Sequence, residues 1–280
     1  MTTPRAVTAV RAIKVRPGRS LELPEHLATE EPMQIRVAGP GQAAVPLAVT
    51  MRTPGHDFEL ASGFVVTEAV AAATDIVSVD YCQVTEITDP EARFNHVTVR
   101  LGRIWQSDSP VRSFAASSSC GTCGKTTIDQ VDLGGGGVPP SAPFAGSLVP
   151  GLPDDLRRAQ KTFERTGGLH AAGLFTRGGD MVLAREDVGR HNAVDKVVGA
   201  MVLGRVVASG ADHLLTVSGR VSFEIVQKAA AAGIAVIVAV SAPSSLAVSA
   251  AERLGITVAG FVRNGGYNIY SHAERIDLDA

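Results

Sequence analysis

The sequence predicts an α/β protein in two parts, on three observations. After residue 153, apolar runs rich in β-branched residues alternate with helix-patterned stretches. The first hundred residues carry a looser alternation of the same kind. Between them, residues 107–153 are crowded with Gly, Pro and Ser, including four consecutive glycines at 134–137. That is the composition of a mobile connection. The division expected is therefore an N-terminal α/β domain over 1–112, a flexible segment over 113–152 and a C-terminal domain over 153–280. A chain of 280 residues is long enough to give each part a real core.

In the first part, residues 7–15 and 44–51 read as strands. Residues 56–70 read as a helix. Phe58, Ala61 and Val65 share one face, with Leu60 and Phe64 beside it. Asp57 and Glu59 near its start suit the positive end of the helix dipole. Residues 76–83 and 96–101 follow as strands. In the last part, a helix over 154–165 precedes a strand pair, 169–176 and 181–185, across Arg177-Gly178-Gly179-Asp180. Helix 192–203, strand 213–217, helix 222–232, strand 234–240, helix 244–254 and strand 256–262 complete the series. Strands alternating with helices imply parallel βαβ units in one sheet covered by helices. No internal repeat is evident.

Charge and hydropathy narrow the class. With 26 Lys and Arg against 28 Asp and Glu, the formal net charge is -2, and no basic excess points to nucleic acid. The longest apolar run, residues 233–240, is strand-sized, so no membrane span is expected. The N-terminus lacks the apolar core of a signal peptide, which makes the cytoplasm the expected location.

The three cysteines are Cys82, Cys120 and Cys123, a poor number for a secreted disulfide framework. Cys82 falls in a strand and reads as a small core hydrophobe. Cys120-Gly121-Thr122-Cys123 is different. A glycine follows each cysteine, which leaves the backbone free to expose the sulfurs. Lys125 favours the thiolate, the reactive form. A structural zinc site needs about four ligands, and no second CxxC occurs, so no metal is expected. A thioredoxin-like pair would follow a strand and open a helix; this one sits in a Ser/Gly-rich stretch. Ser119 to Thr126 ends like a P-loop, but without the strand that a P-loop needs. The pair suits a sulfur carrier instead, in which a thiolate attacks a donor persulfide and leaves with its outer sulfur.

Three further segments are rich in polar groups. In Glu186-Asp187-Val188-Gly189-Arg190-His191-Asn192-Ala193-Val194-Asp195-Lys196, His191 is a candidate base with Asp187 or Asp195 as its partner. Equally, the segment is scaffold, with Asn192 or Asp187 capping a helix and Arg190 pairing with Asp195. Spacing leaves both open. Ser218-Gly219-Arg220 and residues 241–245 each join a strand to a helix, where free N–H groups and Arg220 suit phosphate. Ser222 and Ser244 suit helix capping there. Phe261-Val262-Arg263-Asn264-Gly265-Gly266 is a tight turn offering Arg263 to a phosphate or base.

These segments, in order, resemble the FdhD family of formate dehydrogenase accessory sulfurtransferases. The stretches that carry the resemblance run from His56-Asp57-Phe58-Glu59-Leu60 through Ser119-Cys120-Gly121-Thr122-Cys123-Gly124 and Thr166-Gly167-Gly168-Leu169-His170. They continue through the 186–196 segment and Ser218-Gly219-Arg220-Val221-Ser222-Phe223-Glu224 to the turn at Phe261-Val262-Arg263. The resemblance implies a sulfur carrier that receives a persulfide from a cysteine desulfurase. It implies transfer of that sulfur to Mo-bis(molybdopterin guanine dinucleotide) before the cofactor enters formate dehydrogenase. Cys120 would hold the persulfide with Cys123 as helper. Phe261 to Gly266 would bind the cofactor, which a guanine nucleotide mimics. The implied architecture is a cytidine-deaminase-like C-terminal domain with a smaller N-terminal α/β domain, in a homodimer. The deaminase zinc motif is absent, since Ser119 precedes Cys120. The four glycines after the CxxC depart from the family pattern. Two rivals remain: a cofactor-binding chaperone without sulfur transfer, and a thiol–disulfide oxidoreductase.

Overall fold

A computed structural model describes residues 5–82, 92–106, 114–116, 137–138, 140–204 and 210–280. Strands β1 (Val7–Arg16) and β2 (Arg19–Ala28) form an antiparallel hairpin, turned at Gly18 with φ of 77°. β3 (Glu31–Ala38), β4 (Val45–Arg52), α1 (Asp57–Thr67), β5 (Ile76–Tyr81), β6 (His96–Leu101) and β7 (Phe114–Ala116) follow. Their sheet has the order β5-β6-β3-β4-β7. Met33, Ile35 and Val37 point to its inner face and are wholly buried with Leu60, Val65, Val97 and Val99. That alternation in β3 is a period-two signal that the strand assignments at 7–15 and 44–51 pass over.

The second half contains β8 (Phe144–Ala145), α2 (Leu152–Ala159), α3 (Lys161–Thr166), β9 (His170–Thr176), β10 (Met181–Asp187) and α4 (Arg190–Val202). Next come β11 (His213–Val217), α5 (Phe223–Ala231), β12 (Val236–Ala239), α6 (Ser245–Leu254), β13 (Thr257–Arg263), β14 (Gly266–Ile269) and β15 (Ile276–Asp277). Six of these strands form a sheet in the order β10-β9-β11-β12-β13-β14. Only β11–β12 and β12–β13 are parallel. The wholly parallel sheet expected from the strand–helix rhythm is thus mixed. Short turns make β9–β10 and β13–β14 antiparallel neighbours, and β11 docks antiparallel on the free edge of β9. The fold is mixed α/β, with a hydrophobic core under each large sheet.

The single helix expected over 154–165 is two. Gln160 breaks it with φ of -77° and ψ of 72°. The cause is a distant carboxylate: Glu186 at the end of β10 accepts from the N–H groups of Thr162 (2.9 Å) and Phe163 (2.7 Å). A continuous helix would have sent those N–H groups to carbonyls one turn back.

The two halves meet where α1 crosses α4 at backbone contact. A Cβ built at Gly63 would lie 1.8 Å from the Asp195 carbonyl oxygen, and one at Gly199 1.7 Å from that of Glu59. Only glycine permits this approach. Arg185 on β10 reinforces it, donating from Nε (2.5 Å) and Nη2 (2.9 Å) to the Glu59 carboxylate.

Candidate functional site

Cys120, Cys123 and Lys125 lie outside the described residues. Cys82 is buried just after β5, and Arg36 Nη1 donates to its sulfur at 3.2 Å.

A cleft of about 780 Å³ lies between the α2–α3 break and the β13–β14 turn. Its size suits a nucleotide-sized ligand. One wall is Arg157, Gln160 and Phe163; the other is Val262, Arg263, Asn264 and Gly265, with Ser218 and His170 between them. The cleft therefore brings together two segments that lie more than forty residues apart in sequence, Ser218 and the 262–265 turn. It opens beyond the carboxyl ends of β11 and β12, where ligands settle in open α/β sheets.

Local structure fixes the turn wall. Asn264 and Gly265 both have positive φ, 52° and 78°, as a two-residue type I′ hairpin requires, and Asn-Gly is the pair best suited to it. Phe261 also has positive φ, 54°, at a bulge between Gly260 and Arg263. A non-glycine residue there costs on the order of 1–3 kcal/mol, a strain that concentrates at ligand sites. The Phe261 ring is part-exposed and lies 5.6 Å from the Arg263 guanidinium. Gly266 pairs with Arg263 to start β14.

On the sheet floor, Ser218 N donates to the Ala171 carbonyl (3.0 Å), and Ala171 N donates to Ser218 Oγ (2.9 Å). The Ser218 hydroxyl has no acceptor among the described residues. Gly219 lies against His170 and Arg190: a Cβ there would sit 3.5 Å and 3.9 Å from them. Arg220 is exposed and stands away from the cleft lining. Burial lowers the His170 pKa, and the Arg190 charge lowers it further against a smaller opposing effect of Asp187. Ser244 caps α6, accepting from Ala247 N at 3.2 Å. Ser222 occupies the same position before α5 without a capping bond; its Oγ lies 3.1 Å from His191 Nε2.

The 186–196 segment is chiefly scaffold. Asp187 is wholly buried: it pairs with Lys196 Nζ at 2.6 Å and accepts from Asn192 Nδ2 (3.0 Å), Gly189 N (2.9 Å) and Thr53 N (3.2 Å). Lys196 also donates to the Thr53 carbonyl at 2.9 Å, and Asn192 to that of Met51 at 2.8 Å. These bonds tie β4 to α4. Asp195 accepts from Thr67 Oγ1 (2.7 Å) and pairs with Lys228 Nζ (2.9 Å). Burial works against the Lys228 charge, but Asp195 and Glu68 outweigh it and raise its pKa. Neither aspartate is a partner of His191, and Asp195 is not the partner of Arg190. Burial, then Arg190, Lys228 and His170, hold the His191 pKa down at about 3, which makes it a weak base. Among the described residues, no three His, Cys, Asp or Glu side chains are grouped as metal ligands would be.

Comparison with known proteins places the chain. A family model described as FdhD/NarQ matches residues 28–277. This chain belongs to the FdhD/NarQ family. It is 48% identical over 262 residues to the sulfur carrier protein FdhD of Mycobacterium tuberculosis, across 90% of this chain and 92% of that one. It is 45% identical over 280 residues to the protein of the same name from Streptomyces avermitilis, across 96% and 95% of the two chains. The fold matches a crystal structure from Desulfotalea psychrophila, described as a candidate formate dehydrogenase accessory protein. The TM-score is 0.77 at 24% identity, covering 97% of this chain and 100% of the other.

In this FdhD/NarQ chain, sequence reasoning missed one whole wall of the cleft. The helix expected over 154–165 takes Arg157, Gln160 and Phe163 as ordinary helical positions. Only the Glu186 contact breaks that helix and turns Gln160 inward. The one legible signal was the weak helical patterning around Gln160, where Arg157, Arg158, Gln160 and Lys161 interrupt the apolar face. No helix among the described residues is long and apolar enough to cross a membrane.

Proposed function

We propose that this protein is a sulfur carrier in formate dehydrogenase maturation. Cys120 takes sulfur as a persulfide from a cysteine desulfurase and passes it to Mo-bis(molybdopterin guanine dinucleotide) held at the 261–266 turn. The observation that carries the reading is the Cys120-Gly121-Thr122-Cys123 pair in a chain 48% identical to a protein named as a sulfur carrier. In the loading step, the Cys120 thiolate attacks the outer sulfur of the desulfurase persulfide. A new S–S bond forms on Cys120 as the donor's breaks, and the desulfurase cysteine leaves as thiolate. In delivery, the Cys123 thiolate attacks Cys120 Sγ and closes a disulfide. The outer sulfur departs as sulfide toward the metal, and a cellular dithiol then reduces the pair.

The cleft supports the cofactor half of this proposal. Its guanidinium groups, Arg157 and Arg263, have no acidic partner among the described residues and suit phosphates, and Ser218 offers a hydroxyl. Gly219 and Arg220 follow Ser218 in the chain but stand outside the cleft lining. The proposal extends to a cytidine-deaminase-like ancestry for the six-stranded sheet, a homodimer and a cytoplasmic site of action, all implied by the family resemblance.

Incubation with a cysteine desulfurase and cysteine tests it by intact mass. The protein should gain the mass of one sulfur atom, and Cys120→Ala should gain none. A Cys120→Ala protein that fully restores formate dehydrogenase activity in cells overturns sulfur transfer and leaves a cofactor-binding chaperone.

A further inference from the structure

The β1–β2 hairpin stands out from the rest of the chain as an arm. Its two strands of ten residues each pair along their whole length, from Val7 and Ala28 at the base to Arg16 and Arg19 at the tip. They form a sheet of two, so neither outer edge pairs with another strand among the described residues. Beyond its own pairing, the arm packs chiefly on α3, through β2. A two-stranded hairpin alone is marginally stable in water at best, and long free edges are templates for association.

Its side chains also lack cover. Cross-strand partners share a face of the hairpin. Ile13 and Val15, 70% and 74% exposed, lie on one face with Glu22 and Ser20. Leu21, Leu23 and Leu27 lie exposed on the other, with Lys14, Ala12 and Thr8. These five are nearly half of the twelve large apolar side chains that stand exposed among the described residues. Such a concentration marks an interaction surface, whereas scattered exposed apolar residues do not. Because both faces carry it, the arm suits being enclosed rather than laid flat.

Charge and area select what encloses it. The arm carries four cations, Arg11, Lys14, Arg16 and Arg19, against Glu22 and Glu25. The rest of the chain then has 22 Lys and Arg against 26 Asp and Glu. Two arms repel at their basic tips, but an arm and the body of another copy attract. Ten residues give a ribbon about 34 Å long and roughly 10 Å wide, or about 700 Å² over its two faces. One arm gripped by an unrelated protein falls short of the roughly 800 Å² per partner of a standard stable interface. Exchanged between two copies about a twofold axis, the same contact occurs twice, and each copy buries both an arm and a seat, about 1,400 Å².

We propose that the arm reaches across a twofold axis and is enclosed by the body of a second copy of this chain, which returns its own arm. This deepens the homodimer of the preceding proposal, on which it rests, by naming the surface that forms it. Because the arm is rooted on α3, which carries Phe163 of the cleft wall, the second copy sits beside the cleft.

Sedimentation of the full chain over a range of concentrations tests this. The proteins compared are wild type, a double variant with one substitution on each face of the arm (Ile13→Glu and Leu21→Glu), and Val77→Glu. Val77 is 72% exposed on β5, outside the arm. Wild type should be a dimer. The double variant should raise the dimer Kd at least about a hundredfold, as loss of buried apolar anchors does, and should keep its far-UV circular dichroism. Val77→Glu should leave the Kd unchanged. Hydrogen exchange on wild type gives a second reading without substitution: the amides of both strands should be protected in the dimer and lose that protection on dilution to monomer. A double variant that dimerises like wild type, a Val77→Glu effect as large as that of the arm variant, or arm amides that exchange equally fast in dimer and monomer overturns the inference and leaves a homodimer built on another face. A wild-type protein that stays monomeric throughout overturns both.

Discussion

The Glu59–Arg185 pair lets the joint between the two halves be tested by pH. The Glu59 side chain is 2% exposed and lies on α1 in the N-terminal half; Arg185 lies on β10 in the C-terminal half. Burial pushes the Glu59 pKa up. Hydrogen bonds from His56 and Arg185 and their charges outweigh burial and bring it from 4.5 down to about 2. A depressed carboxylate stabilises the fold above its unfolded pKa, and that stability is lost as pH falls toward the folded value. A shift of this size corresponds to about 3.4 kcal/mol at pH 7, at 1.36 kcal/mol per pH unit. About 1.4 kcal/mol of it is gone by pH 3.5. Glu59→Gln removes the titrating group and leaves the other carboxylates in place. Urea unfolding of wild type and Glu59→Gln at pH 7 and pH 3.5 should show a gap of about 3 kcal/mol that narrows by about 1.4. A gap that is absent at pH 7, or that does not narrow, refutes the reasoning.

Substitutions at Gly199 and Lys196 test the same joint from other sides, with Gly151 as a control away from it. Gly199→Ala should lose about 3 kcal/mol or fail to fold, because its Cβ would meet the Glu59 carbonyl at 1.7 Å. Gly151→Ala, with nothing within 4 Å of the new carbon, should melt close to wild type in the same thermal scan. Lys196→Met should cost about 3–5 kcal/mol in chemical denaturation by leaving the Asp187 charge buried and unpaired. Adding Asp187→Asn should recover part of that loss.

Periodicity made most of the second half legible. The buried runs of β11, β12 and β13, the hairpin at β9–β10 and the Asn264-Gly265 turn are local signals, carried by apolar spacing and turn residues. The first half was less legible. β2 is exposed along nearly all its length and leaves little burial pattern to read. Strand direction was also beyond local pattern, because the edge of the sheet on which β11 docks is chosen by packing.

The site divides along the same line. The sequence by itself raised the expectation of a reactive thiol pair, through the spacing of Cys120 and Cys123 and the glycines beside them, and it determined the turn that carries Arg263. Both depend on neighbours within a few residues. Only the tertiary structure decided that Asp187, Asn192, Asp195 and Lys196 serve as a buried joint rather than around His191. A hydrogen bond from α4 to β4 joins residues some 140 positions apart, and no window along the chain contains both. The same is true of the cleft. Glu186 breaks a helix 24 residues upstream, and that break, absent from any helical pattern, sets Gln160 opposite Arg263.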